Sequence, residues 1–61
     1  MPTSVWYQIT DDSYPHCHQP MCLLSRLDLT EDRAWDLAHS LREELLYILS
    51  LSEGQVKTWV E

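Results

Sequence analysis

Basic side chains are scarce in this chain. Ten aspartates and glutamates stand against four lysines and arginines, Arg26, Arg33, Arg42 and Lys57, for a formal charge of −6 over 61 residues. A nucleic-acid binder needs clustered cations to meet phosphates, so direct DNA or RNA binding is not expected. Glycine is scarcer still. Gly54 is the only one, which leaves no glycine-rich phosphate loop. Long apolar runs are missing too: the longest is Leu45-Leu46-Tyr47-Ile48-Leu49, far short of the roughly 20 residues of a membrane-spanning helix. The opening Met1-Pro2-Thr3-Ser4-Val5-Trp6 has neither the basic nor the apolar region of a secretory signal. A cytoplasmic protein with no membrane partner is expected. Cys17 and Cys22, five positions apart, are expected as free thiols in a reducing compartment, and a disulfide closing so short a loop would stabilise little.

Apolar and aromatic side chains are plentiful. The apolar fraction is 44%, with three tryptophans and three tyrosines, too rich for a disordered chain. The length allows a single domain over residues 1–61. Chains this short bury only about 60% of their unfolded surface, so the core is expected to be marginal.

From Ser4 to Thr10 the residues alternate, with Val5, Tyr7 and Ile9 on one face and Trp6, Gln8 and Thr10 on the other, the period of a half-buried strand. A turn-rich loop follows, from Asp11 to Pro20. Its length is unusual for a hairpin and marks it as a candidate functional loop. Met21 to Leu29 reads as a second strand, with Met21, Leu23, Leu27 and Leu29 on one face and Cys22, Leu24, Arg26 and Asp28 on the other. Thr30 is placed to cap a helix, with Glu31 and Asp32 in its first turn. Ala34, Leu37, Ala38, Leu41, Leu45, Ile48 and Leu49 then recur at spacings of three and four, predicting one long helix from Glu31 to about Leu51 with Gly54 as its stop. Gln55 to Glu61 alternates again and predicts a third strand, although Ser52-x-x-Gln55 also fits the capping box of a short second helix. The expected fold is α+β, in the order strand, strand, helix, strand. It is a three-stranded antiparallel sheet in spatial order 2-1-3 with the helix on one face.

Three features are candidates for function. The first is the sheet face away from the helix. If Val5, Tyr7, Ile9, Leu23, Leu27, Val56 and Val60 pack on the helix, then Trp6, Cys22, Leu24 and Trp59 point outward. Trp6, Leu24 and Trp59 would then form an apolar self-association face; the competing register buries the tryptophans instead. The second is the helix itself. At 100° per residue Asp32, Asp36 and Glu43 share a line opposite the core, with Glu44 to one side and Trp35, His39, Arg42 and Leu46 as a mixed flank. The plain reading is a solvated face. The sharper one is an acidic surface matched to a basic groove, with Trp35 as anchor. The third is His16-Cys17-His18 followed by Cys22, the ligand types zinc prefers, without the second cluster that structural zinc sites normally use.

Catalytic patterns do not assemble. There is no nucleophile elbow, and no serine is placed beside a base. Cys17 between two histidines is the only candidate activated thiol, and 61 residues leave little room to wall off a pocket of about 300–1,000 Å³. Neither enzymatic activity nor a cofactor is expected.

Leu49-Ser50-Leu51-Ser52-Glu53-Gly54-Gln55-Val56-Lys57-Thr58-Trp59 resembles the approach to the homeodomain recognition helix, typically Leu-x-Leu-Ser/Thr-Glu-x-Gln-Val-Lys-x-Trp-Phe. The resemblance covers about a fifth of the chain and implies a helical C-terminal segment. Val60 stands in place of the phenylalanine, and Glu61 precedes any counterpart of the DNA-contacting Asn and Arg. In size and charge only, the chain also resembles the small inhibitors that phages and mobile elements direct against host machinery, anti-CRISPR proteins and inhibitors of host RNA polymerase among them. The function expected is therefore a non-enzymatic inhibitor that mimics nucleic acid and occludes the basic surface of a host protein. A homo-oligomer joined through the sheet face and a small zinc-binding adaptor are the alternatives.

Overall fold

Strand β1 (Thr3–Ile9) is the element on which the others are assembled. In the computed structural model, which describes all residues from Met1 to Glu61, it is followed by β2 (Met21–Arg26), α1 (Glu31–Ile48) and β3 (Val56–Val60). Short 3-10 turns at Pro15–Cys17 and Glu53–Gln55 interrupt the connections. The strand order is β2-β1-β3, and β1 is antiparallel to both neighbours. Because β2 and β3 run the same way, the antiparallel arrangement requires β1 between them. The expected α+β fold is the observed one.

Helix α1 begins where the sequence places it. Thr30 is extended, and its hydroxyl accepts from the Arg33 backbone N–H at 3.3 Å. Glu31 and Asp32 occupy the first turn, where unpaired backbone N–H groups favour negative charge. The helix ends three residues earlier than expected, and Gly54 is not its stop. Ser50 takes the left-handed position at φ 54°, and the Leu51 N–H closes onto the Leu46 carbonyl at 3.1 Å. Gly54 lies instead in the 3-10 turn that redirects the chain into β3 and has no positive φ.

Five side chains are buried: Val5, Ile9, Ala34, Ala38 and Val56. Val5, Ala34 and Ala38 form the centre, with Leu24, Leu29, Leu37 and Val60 packed around them. The two alanines have no bulk to hold α1 away, so the helix backbone sits close against β1 and β3. It makes little contact with β2, of which Leu24 alone packs against the central cluster.

The face assignment of β2 differs from the sequence expectation. Val5 pairs with Leu24, but the next pair is Trp6 with Cys22, so a bulge leaves Leu23 as an extra residue. Alternation reverses at that point. Leu24, expected outward, packs on the helix side, whereas Leu23 is 46% exposed. Leu27, also expected inside, is 81% exposed in the turn after β2. That turn is shaped by Arg26, whose guanidinium donates to both Asp28 carboxylate oxygens at 2.9 Å, and β2 ends there rather than at Leu29. Ile48, assigned to the helix core stripe, is 68% exposed. An 18-residue helix is about 27 Å long and outruns the sheet.

The C-terminal segment is a strand. Val56, Thr58 and Val60 are β-branched and alternate, and they pair with Ile9, Tyr7 and Val5. The capping chemistry at Ser52 is also real. The Gln55 side-chain oxygen accepts from the Ser52 N–H at 2.9 Å, and the Gln55 N–H donates to the Ser52 carbonyl at 2.9 Å. It supports one 3-10 turn, and the homeodomain-like helix does not form, because pairing with β1 satisfies the following backbone groups.

Candidate partner-binding surfaces

Three placements matter: the outward face of α1, the sheet face that α1 leaves open, and the Asp11–Pro20 loop. On α1, Ala34 and Ala38 point at the sheet, which sets Asp32, Asp36 and Glu43 on the far side, all exposed, with Glu44 exposed beside them. The only ion pair in the molecule is Arg26–Asp28. Every helix carboxylate is therefore without an intramolecular salt bridge, and so are Arg33, Arg42 and Lys57. Trp35 is 38% exposed, and its ring centroid lies 5.9 Å from that of His39 at an interplanar angle of 33°. Arg42 and Leu46, the other two members of the expected flank, are half-buried. One further residue belongs to this surface without having been expected there. Tyr47 is 86% exposed and lies four positions beyond Glu43, extending the acidic line by a turn; helical spacing alone is enough to find it.

On the open sheet face, Trp6 is the centre of a cross-strand row. It pairs with Cys22 on β2 and with Trp59 on β3. Ser4, Gln8, Ser25 and Lys57 share this face through the alternation of their strands, and Ser4 donates to the Ser25 hydroxyl at 2.8 Å. Both tryptophans are half-buried. The Trp6 indole nitrogen is buried without a hydrogen-bond partner, an uncommon condition for a donor of this kind. Of the self-association residues expected from sequence, Trp6 and Trp59 are brought together here, and Leu24 lies on the opposite side of the sheet.

The long loop folds back onto the Gln8 end of the same face. The Gln8 amide donates to the His18 carbonyl at 2.6 Å, and the His18 ring nitrogen Nε2 lies 2.8 Å from the Asp11 carbonyl oxygen. Asp11 holds the loop to the turn before β3. Its Oδ1 accepts from the Ser13 N–H at 2.8 Å, and its Oδ2 accepts from the Gln55 amide at 2.9 Å. Bonds from the Ser13 backbone and hydroxyl, then from Gln55, with the nearby His18 ring adding to them, hold the Asp11 carboxyl below the usual carboxylate range. Cys17 is half-buried and Cys22 exposed, both as free thiols, and the Cys22 thiol points to the Leu24 carbonyl at 3.4 Å. His16, Cys17, His18 and Cys22 do not converge, and no three His, Cys, Asp or Glu side chains gather as a metal donor set. The surface forms no pocket, and no helix is long and apolar enough to cross a membrane.

No protein-family model, curated protein or solved structure matches this chain.

Proposed function

We propose that this chain is a non-enzymatic, cytoplasmic protein-binding module. In this reading the outward face of α1 occupies a basic, nucleic-acid-binding surface on another protein and so excludes the nucleic acid, as an inhibitor of phage or mobile-element type does. The observation that carries the reading is the state of the helix carboxylates. Asp32, Asp36, Glu43 and Glu44 are exposed and unpaired although Arg33 and Arg42 lie on the same helix. Exposed charge left unneutralised within the chain is available to steer association with a surface of the opposite sign. The Trp35–His39 pair on the flank adds aromatic area of the kind that anchors interfaces.

The test is a competition. Proteins captured by the immobilised chain from its native host lysate are challenged with duplex DNA, RNA and raised salt. On this reading the bound protein is a nucleic-acid-handling one, released by polyanions and by salt that screens exposed charge. The double reversal Asp36→Lys with Glu43→Lys then reduces capture more than tenfold while the circular dichroism spectrum is unchanged. Capture that survives the double reversal, or is indifferent to nucleic acid, rejects the mechanism.

A further inference from the structure

All ten acidic residues lie outside the three strands, whose only charged members are Arg26 and Lys57. The acids are held instead by the Asp11–Pro20 loop, the turn after β2, α1, the 3-10 turn before β3 and Glu61. Two copies of a chain of charge −6 repel on nearly every approach. The open sheet face is the least acidic approach, because its strands carry only Lys57 there, with Glu61 at one end and the Asp11–Pro20 loop at the other. It carries the Cys22–Trp6–Trp59 row, with Lys57 two residues to one side of Trp59 and Glu61 two residues to the other. Glu61 belongs to this face because it continues the ladder, exchanging backbone hydrogen bonds with Ser4 at 2.9 and 3.0 Å.

We propose that the open sheet face is the interface of a homodimer, with a second copy of this chain as its occupant. The proposal does not use the helix acids and stands apart from the function proposed for them. A twofold axis along the Cys22–Trp6–Trp59 row sets each strand antiparallel across its own counterpart. Trp59 then lies over Trp59 of the second copy, and Lys57 lies over Glu61 of the second copy, twice by symmetry. The folded-back loop at the Gln8 end meets the low end formed by Ser4 and Ser25. Packed layers are about 10 Å apart, so the two helices end up on the outside of four layers, roughly 30 Å from each other. That separation is several times the screening length of about 8 Å at physiological salt, and the helix acids of the two copies cease to oppose association. The dimer also gives a second apolar layer to a monomer with five buried side chains.

The face is about 14 Å wide and 20 Å long from strand spacing and rise, well under the roughly 800 Å² per partner of a standard interface, so the dimer is a weak one. Association is therefore concentration-dependent, and the experiment is sedimentation equilibrium of the full chain from micromolar to millimolar concentration. The expected result is a shift from 7.2 kDa to twice that mass. Trp59→Ser, checked for an intact fold by circular dichroism, keeps the chain monomeric. Lys57→Glu alters an exposed side chain and leaves the fold in place; it sets like charges against each other and weakens the dimer about tenfold or more. Lys57→Glu combined with Glu61→Lys restores it. A chain that stays at 7.2 kDa throughout overturns the proposal and leaves the face to a different partner. A dimer indifferent to Lys57→Glu, or one that the charge swap does not restore, overturns this interface.

Discussion

The Gln55 side-chain amide donates to the Asp11 carboxylate at 2.9 Å, joining two turns 44 residues apart in the chain. Gln55 has no freedom to reverse its amide, because its oxygen already accepts from the Ser52 N–H. Asp11 must therefore present an acceptor. Asp11 thus links the long loop, through Ser13 at its carboxylate and His18 at its backbone carbonyl, to the turn that starts β3.

The pH dependence follows from that relationship. The carboxyl of Asp11 is held below the usual carboxylate range by the Ser13 and Gln55 bonds. A lowered folded-state pKa gives stability that is complete above the unfolded-state value, about 3.9 for aspartate, and is lost as pH falls through the folded-state value. Asp11→Asn keeps an acceptor for Ser13 but turns an amide donor toward the Gln55 amide. Thermal unfolding is expected to show a lower midpoint for Asp11→Asn than for the parent chain at pH 7, with the gap closing as pH falls below the carboxylate range. A gap that stays constant down to pH 2 would show that the Asp11 contribution does not depend on its ionisation, and no gap at pH 7 would show that the Asp11 bonds add nothing.

Ser50 and Gly54 exchange the roles that their side chains suggest. Ser50 sits at φ 54° without being glycine, whereas Gly54 has an ordinary φ and open space within 4 Å of the position an added Cβ would take. Ser50→Gly removes left-handed strain and is expected to stabilise by about 0.5–1 kcal/mol. Gly54→Ala restricts the unfolded chain without a clash and is expected to stabilise by about 0.4–1 kcal/mol. In a domain of this size each corresponds to a rise of several degrees, about 4–8 °C per kcal/mol. Calorimetry of the two variants checks both, and a loss of stability for Ser50→Gly would contradict the helix ending described here.

What was legible in the sequence has a physical pattern. Val5, Ile9, Val56 and Val60 alternate with polar or aromatic neighbours, so their strands and inward faces follow from period alone. Thr30 with Glu31 and Asp32, and the Ala34–Ala38 spacing, mark the helix start and its buried side in the same local way. The helix acids were legible for that reason too, since a periodic element fixes which residues oppose its core. Where the reading failed, the deciding contact was distant. Met21-Cys22-Leu23-Leu24 contains no charged residue to label a face, so the bulge is visible only in the pairing with β1. The end of α1 turns on Ser50 taking a left-handed conformation that its residue type does not announce, and the Asp11–Gln55 bond spans most of the sequence. The row of Cys22, Trp6 and Trp59 needed both strand registers before its members became neighbours.

The bulge itself is open to a direct test, because the two leucines beside it exchange places under the alternative. With regular alternation, Leu23 would face the helix and Leu24 would face away. With the bulge, Leu24 packs beside Val5, Ala34 and Ala38 while Leu23 is nearly half exposed. Truncating a fully buried leucine costs about 2–5 kcal/mol, and a half-buried one about half as much. Leu24→Ala is therefore expected to lose about 2 kcal/mol in urea unfolding, and the more exposed Leu23→Ala about 1 kcal/mol. The reverse order would mean that β2 pairs without the extra residue. It would also return Leu24 to the tryptophan face and enlarge the apolar area offered to a second copy.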